Sequence, residues 1–110
     1  MEKKTALVTG GSRGIGKSIK ESLMNEQIEV ISPSRNELDL SSFESMNNFL
    51  TNFSTSIDIL VNNAGILKVG QHNELSSIDF QEILQVNVIA PFVLMSKLSH
   101  SMKENKYGRI

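Results

Sequence analysis

A glycine-rich loop, residues 9–16 (TGGSRGIG), separates a short apolar run from a helical pattern near the start of this chain. The apolar run, residues 5–9, is short and continuous, which predicts a buried strand. After the loop, Ile15, Ile19 and Leu23 recur at a spacing of four, which predicts a helix with one buried stripe. A tight turn between a strand and a helix requires glycine conformations, and the helix amino terminus that follows favours an anion.

Strand and helix patterns alternate along the rest of the chain. Residues 28–31 predict a second strand that ends at Pro33, residues 38–40 predict a brief third strand, and residues 57–61 predict a fourth. Ser76 is expected to cap a long helix that runs to about Lys106 and ends at Gly108. Such alternation predicts a single α/β domain with a doubly wound parallel sheet, in which ligands bind at the carboxyl ends of the strands.

The composition excludes several classes of protein. Eleven Lys and Arg against twelve Asp and Glu leave a net charge of −1, which gives no reason to expect nucleic acid or an anionic membrane as a partner. The chain has no Cys, and His72 and His100 have no partner at ligand spacing, so we expect no metal site. The longest apolar run, residues 88–95, contains Pro91 and is less than half a membrane span. We expect a cytoplasmic protein.

The loop and three further motifs together resemble the short-chain dehydrogenase/reductase family. The loop has the spacing Thr-Gly-x-x-x-Gly-x-Gly, and residues 62–65 (NNAG) follow the predicted fourth strand. The pattern of residues 75–80 with Val86 and Asn87 is similar to that family's fourth helix, and residues 107–110 (YGRI) resemble the entry to its fifth strand. The resemblance covers all 110 residues. It implies the amino-terminal, cofactor-binding portion of a Rossmann-like domain, truncated after the fourth strand, with the strand order 3-2-1-4.

The resemblance also implies which residues hold a nicotinamide dinucleotide. They lie in the glycine loop and after the second, third and fourth strands: Gly10, Ser12, Arg13, Gly14, Ile15, Gly16, Arg35, Asp39, Leu40, Asn63, Ala64 and Gly65. The end of the second strand carries Arg35 and no acidic side chain, and Arg13 precedes Gly14, so NADP is favoured while NAD stays possible. Helix capping is the alternative role of Asp39, and a solvated loop position is the alternative for Arg35.

One departure from the resembled family concerns the adenine side of the predicted site. The family usually has a helix between its second and third strands, whereas only residues 36–38 separate Arg35 from Asp39. We therefore expect the adenine side of the pocket to be reshaped.

Asn87 is the predicted catalytic residue. Pro91 lies four residues later and has no N–H, so a continuous helix would kink and leave the Asn87 carbonyl without its helical partner. In the resembled family the carbonyl of this asparagine holds a water in a proton relay. A proline kink that is only structural is the alternative.

The activity implied by the resemblance is hydride transfer between NADP(H) and a carbonyl or secondary alcohol, the small-molecule substrate of the full-length parent. The family's reaction also uses a serine and a Tyr-x-x-x-Lys pair, and Tyr107, the single tyrosine, has no such lysine after it. Two functions are therefore open: the cofactor-binding half of an oxidoreductase, or a non-catalytic module that binds dinucleotide or a partner. An uncovered strand edge and an apolar helix face would promote association, so we expect a homo-oligomer.

Overall fold

Three short strands form a parallel sheet at the centre of the chain. In the computed structural model, which describes residues 3–110, β1 (Thr5–Val8) lies between β2 (Glu29–Ile31) and β3 (Ile59–Val61). The register places Ala6 opposite both Val30 and Ile59. Residues 6–8 of β1 are fully buried, as expected for a central strand with both faces covered. The predicted parallel sheet, with the first strand in the middle, is confirmed.

Four helices surround this sheet: α1 (Gly14–Asn25), α2 (Phe43–Asn52), α3 (Ser77–Leu84) and α4 (Ala90–Glu104). A π-helical turn, Gln85–Ile89, joins α3 to α4 without a break. The main core consists of side chains from β1, β3, α4 and the segment before β3: Leu7, Ile57, Leu60, Leu94, Leu98 and Met102. A smaller cluster of Leu38, Met46 and Ala90 joins α2 to the start of α4. Both clusters leave the carboxyl ends of the strands accessible.

The predicted third strand, residues 38–40, is wrong. A parallel partner for β2 requires a crossover connection of about a dozen residues or more, and only residues 32–37 lie between the two segments. The segment instead bonds locally: the Leu38 N–H donates to the Ser34 carbonyl at 2.9 Å, and the Asp39 N–H donates to the Ser45 hydroxyl at 2.8 Å. The predicted order 3-2-1-4 therefore becomes β2-β1-β3, in which β3 is the predicted fourth strand.

The predicted buried stripe of α1 is also wrong in part. Ile15 is 75% exposed, and Gly16 is the buried residue of this helix. A Cβ on Gly16 would overlap the Gly10 carbonyl oxygen, so the first turn of α1 approaches the loop through its backbone. This close approach leaves the neighbouring Ile15 on the outside, while Ile19 and Leu23 are half-buried.

The long helix ends close to its predicted position. Ser76 caps α3, as predicted, in a reciprocal capping box with Asp79. The helix ends at Glu104, and Lys106, not Gly108, takes the left-handed conformation, with φ of 53°. Gly108 is needed for another reason, since a Cβ there would lie 2.6 Å from the Met102 sulfur. Gly108 is therefore explained by close packing against Met102 and not by the backbone conformation of a turn.

The continuous helix Ser77–Glu104 carries both core and exposed apolar residues. It has 28 residues and an apolar window of mean hydropathy 1.3, so by length and composition alone it could cross a membrane. Core helices of soluble proteins pass the same test, and Leu94 and Leu98 are buried against the sheet here. An exposed stripe at a spacing of four comprises Phe80, Leu84, Val88 and Phe92. This stripe supports the predicted self-association, which stays a prediction.

Candidate functional site

A cleft of about 710 Å³ opens at the carboxyl ends of the three strands. Ligands of doubly wound sheets bind at this edge. The structure brings all the predicted cofactor residues into the wall of this cleft: Gly10, Ser12, Arg13, Gly14, Ile15, Gly16, Arg35, Asp39, Leu40, Asn63, Ala64 and Gly65. Asn87 is not part of the wall. Segments far apart in the chain therefore meet at one surface, and their binding of a dinucleotide stays a prediction.

The glycine loop prepares the amino end of α1 for an anion. Gly10 and Gly14 have φ of 67° and 59°, conformations that side chains other than glycine rarely adopt. No side chain caps α1, and its first turn contains no acidic residue. In contrast, Ser42 caps α2 and Ser76 caps α3, and both helices have an acidic residue in the first turn. The amino end of α1 therefore keeps unpaired N–H groups and a partial positive charge.

Thr9 joins the two loops of the cleft, a role that the sequence analysis missed. Its hydroxyl accepts hydrogen bonds from the N–H groups of Asn63 (3.1 Å) and Ala64 (3.0 Å) and donates to the Val61 carbonyl at 3.4 Å. The side chain is only 4% exposed. The sequence signal was present, since a hydroxyl residue directly before the glycines at the end of a buried strand is polar where its neighbours are apolar.

We expect Thr9→Val to destabilise the chain by about 2 kcal/mol, because it leaves the Ala64 N–H without its acceptor and the Asn63 N–H with only the Val61 carbonyl at 3.1 Å, while keeping the shape of the side chain. Thr5→Val, at the start of the strand that Thr9 follows, is the matched control, since the Thr5 hydroxyl forms no hydrogen bond in the described part of the chain. Urea denaturation of the two variants measures the difference. Equal losses of stability in both would contradict the role of the Thr9 hydroxyl.

The side chain of Asn63 completes the connection between the loops. Its amide nitrogen donates to the carbonyls of Thr9 and Gly10, both at 3.1 Å. The same nitrogen would lie 2.9 Å from a Cβ on Gly10. The side chain thus packs on the glycine loop, while Ala64 and Gly65 add little side-chain bulk to the cleft wall.

Asn87 holds the next residue of this loop with its side chain. The Asn87 amide accepts from the Ile66 N–H at 2.9 Å and donates to the Ile66 carbonyl at 2.8 Å. The helix around it widens into the π-helical turn, in which the Ala90 N–H donates to the Gln85 carbonyl. This turn replaces the simple kink that we predicted, because a wider turn accommodates the ring and the missing N–H of Pro91.

Asp39 lies in the cleft wall with its carboxylate directed at its own turn. The carboxylate accepts from the Ser41 hydroxyl at 2.7 Å and from the Ser41 N–H at 3.0 Å. These hydrogen bonds, with a smaller contribution from the positive charge of Arg35, lower the pKa of Asp39. Such contacts favour the alternative in which Asp39 organises the turn before α2.

The cleft wall contains more basic and hydroxyl side chains than the sequence analysis identified. Lys20, Ser32 and Ser34 line the wall together with Arg13 and Arg35. Within residues 3–110, Arg35 has no ion pair shorter than 4.0 Å. The Glu37 carboxylate accepts from the Ser34 N–H at 2.9 Å, which lowers the pKa of Glu37, and it lies outside the cleft wall. The serines flanking Pro33 at the end of β2 were the available sequence signal.

In the described part of the chain, neither histidine side chain forms a hydrogen bond or an ion pair. His72 and His100 are both exposed. Across residues 3–110, no group of three His, Asp or Glu side chains lies in a position to hold a metal ion.

Comparisons with known proteins agree with this geometry. A model of the short chain dehydrogenase family matches residues 36–110. A 3-oxoacyl-(acyl-carrier-protein) reductase of Buchnera aphidicola subsp. Schizaphis graminum is 31% identical over 131 aligned positions, which cover 100% of this chain and 54% of that protein. The chain thus spans about half the length of the relatives that it matches.

Solved structures give the same fold. A 4-hydroxyisoleucine dehydrogenase complexed with NADH superposes with a TM-score of 0.86 at 28% identity, covering 94% of this chain and 52% of that one. A structure assigned as an NAD(P) dependent gluconate 5-dehydrogenase from Beutenbergia cavernae, with bound NADP, has a TM-score of 0.78 at 25% identity. The superposition covers 97% of this chain and 52% of the Beutenbergia chain. These two neighbours therefore hold different dinucleotides.

Proposed function

This chain belongs to the short chain dehydrogenase family, and we propose that it binds NADP(H) in the cleft as the cofactor-binding half of an oxidoreductase acting on a carbonyl or secondary alcohol. The observation that carries the proposal is the cleft itself, where the glycine loop and the loop after β3 meet at the carboxyl end of the sheet. A bound dinucleotide supplies the hydride acceptor or donor. The chain's own residues bind it and orient it.

The pyrophosphate is proposed to lie at the amino end of α1. Among residues 3–110, no side chain caps this helix end, and no atom lies within 4 Å of the position of a Cβ on Gly14. Open space beside unpaired N–H groups fits a large anion that approaches the backbone. The structure thus offers the chemistry that a pyrophosphate requires, with no competing carboxylate in the first turn.

The adenosine half is proposed to lie toward Arg13 and Arg35, with a 2′-phosphate at the latter. The cleft wall contains three basic side chains, those of Arg13, Lys20 and Arg35, against two acidic ones, Asp39 and Glu82. The Asp39 carboxylate is already bonded to Ser41, and none of the three cations forms an ion pair among the described residues, so the donors of Arg35 are available to a phosphate. A guanidinium suits a phosphate because it can donate two parallel hydrogen bonds. This charge pattern supports NADP over NAD.

The nicotinamide half is proposed to lie along the segment of residues 63–66, defined here as the nicotinamide-side segment. Its backbone is fixed on one side by the Thr9 hydroxyl and on the other by the Asn87 side chain. A backbone held at both ends orients a flat ring without a loss of conformational freedom on binding.

The non-catalytic module remains a second candidate because of one specific observation. Tyr107, the single tyrosine, has two cations over its ring, with the Lys4 nitrogen 3.9 Å and the Arg109 guanidinium carbon 5.0 Å from the ring centroid. It does not line the cleft. The chain thus brings no tyrosine to the proposed site, and proton exchange with a substrate would need groups supplied from elsewhere.

Titration of the chain with NADPH, followed by the change in nicotinamide fluorescence, tests the binding step. We expect saturable binding in the micromolar range, about −8 kcal/mol. No binding at millimolar NADPH or NADH would overturn the proposal. Adding the carboxyl-terminal half of the Buchnera relative to the saturated chain then separates the two candidates. Ketone-dependent oxidation of NADPH by the mixture supports the cofactor-binding half of an oxidoreductase. A folded complex that does not oxidise NADPH supports the non-catalytic module.

A further inference from the structure

The loop that leaves the cleft after the nicotinamide-side segment is long and irregular. Residues 62–76 contain no helix or strand. Within it, Leu67 is 82% exposed and Val69 is 87% exposed. Burial of apolar side chains therefore does not fix this part of the loop, and irregular loops of this length are ordinarily mobile unless polar contacts hold them.

Lys68 lies between these two exposed residues and connects the loop to α3. Its ammonium nitrogen is 3.1 Å from an Asp79 carboxylate oxygen and 2.9 Å from a Glu82 carboxylate oxygen. The three side chains are each only about one third exposed, at 34%, 32% and 35%. Ion pairs in such a setting are screened less than fully exposed ones. One ammonium group therefore bonds to two carboxylates on a neighbouring helix.

The helix end that receives Lys68 is itself fixed. The second carboxylate oxygen of Asp79 accepts from the Ser76 N–H at 3.0 Å, and the Ser76 hydroxyl accepts from the Asp79 N–H at 3.1 Å. The pKa of Asp79 is lowered chiefly by its hydrogen bond with the Ser76 backbone and then by Lys68. The pKa of Lys68 is raised, first by the hydrogen bond to Glu82 and then by that to Asp79. Both shifts favour the charged forms, so the ion pairs persist at neutral pH.

These ion pairs lie next to the proposed nicotinamide site. Ile66, two residues before Lys68, lines the cleft and is bonded to Asn87 through both backbone groups. Glu82 lines the same cleft from α3. In the described part of the chain, Lys68 is the one side chain from residues 66–70 that hydrogen-bonds to another element. The loop is thus held at Ile66 by Asn87 and at Lys68 by two carboxylates.

We propose that Lys68 is a positioning residue, which holds the nicotinamide-side segment in its binding conformation through ion pairs with Asp79 and Glu82. The inference rests on the proposed binding of a dinucleotide in the cleft. Lys68 does not itself touch the cofactor, because its ammonium group is bonded to α3 and it is absent from the cleft wall. It acts by ordering the loop before binding, which lowers the conformational entropy lost when the ligand binds.

The test compares the binding of two ligands to variants of Lys68, Lys17 and Glu82. NADPH occupies the whole proposed site, whereas adenosine 2′,5′-bisphosphate occupies the adenosine half alone. Lys68→Met removes the charge at nearly constant length, and Lys68→Arg restores it. Lys17→Met is the matched control, since Lys17 pairs with Glu21 at 4.0 Å on α1 with both side chains about 60% exposed, at 60% and 62%. Glu82→Gln removes one ion pair and leaves Lys68 and the capping box in place.

We expect Lys68→Met to weaken NADPH binding about fivefold and to leave adenosine 2′,5′-bisphosphate binding within about twofold. Lys68→Arg should recover most of the loss, Glu82→Gln should show a smaller loss, and Lys17→Met should bind both ligands normally. Backbone amides of residues 64–69 should exchange about tenfold faster in Lys68→Met, without ligand.

Three outcomes would overturn the inference while leaving the proposed function in place. Unchanged NADPH binding in both Lys68→Met and Glu82→Gln would show that Lys68 has no positioning role. Equal weakening of the binding of both ligands in Lys68→Met would also contradict that role, because it indicates a general loss of structure. A wild-type chain that binds adenosine 2′,5′-bisphosphate and NADPH with equal affinity would show that the segment contributes nothing to binding. A wild-type chain that binds neither ligand would instead overturn the proposed function, and this inference with it.

Discussion

Gly16→Ala is expected to destabilise the chain by about 3 kcal/mol and to abolish dinucleotide binding. A Cβ at this position would overlap the Gly10 carbonyl oxygen and the Asn63 amide nitrogen. The first of these atoms belongs to the backbone and cannot rotate away, so α1 and the glycine loop must separate. That movement also breaks the hydrogen bonds from Asn63 to Thr9 and Gly10, which join the two loops of the cleft. Thermal unfolding should occur at least about 12 °C lower.

Two other glycines separate steric overlap from backbone strain. A Cβ on Gly14 would meet no described atom within 4 Å, but the φ of 59° at this position is unfavourable for alanine, so Gly14→Ala should cost about 1 to 2 kcal/mol. Gly70 lies outside the cleft, and the three atoms nearest to a Cβ there belong to the side chains of Leu75 and Glu74, at 3.3 to 3.4 Å, and not to the backbone. Gly70→Ala should stay within about 0.5 kcal/mol of wild type. A Gly16→Ala variant as stable as Gly70→Ala would show that the packing of α1 on the loop is looser than described.

Arg35→Gln is expected to weaken NADPH binding about tenfold to a hundredfold while NADH binding changes less than about twofold. The two dinucleotides differ only in the 2′-phosphate, and hydrogen bonds to a charged group contribute about 1.5 to 3 kcal/mol each. Arg35 lines the cleft and has no ion pair within residues 3–110, so its donors are available to a ligand. Parallel titrations with NADPH and NADH measure the ratio.

Lys97→Gln provides the control for net charge. Lys97 is exposed on α4 and does not line the cleft, so the Lys97→Gln substitution removes one positive charge without changing the proposed site. Arg35→Lys keeps the positive charge but cannot form a bidentate pair of hydrogen bonds to a phosphate, so we expect an intermediate loss of NADPH affinity. If Arg35→Gln weakened the binding of NADPH and NADH equally, Arg35 would contact a group that both cofactors contain, and not the 2′-phosphate. A chain that already prefers NADH would refute the proposed preference for NADP.

The sequence determined those parts of this protein that depend on local conformation. A buried strand, a tight turn and a helix follow from the apolar run, the glycines and the spacing of four, because each depends on neighbours within one turn or one strand. Ser76 as the cap of α3 is equally local. The predicted residues of the cleft wall were named from the resemblance to the short-chain dehydrogenase/reductase family, whereas the alternation of strands and helices by itself predicted only that ligands bind at the carboxyl edge of the sheet.

The tertiary structure alone decided which of these segments bond to one another. Residues 38–40 have the composition of a strand, but the connection from β2 is too short for a parallel crossover, so they form a turn. The hydroxyl of Thr9 bonds to Asn63 and Ala64 more than fifty positions away. Lys68 reaches Glu82 across fourteen positions. Side chains so far apart in the chain meet only after the core has fixed the angles between helices and sheet, and no local periodicity encodes that arrangement.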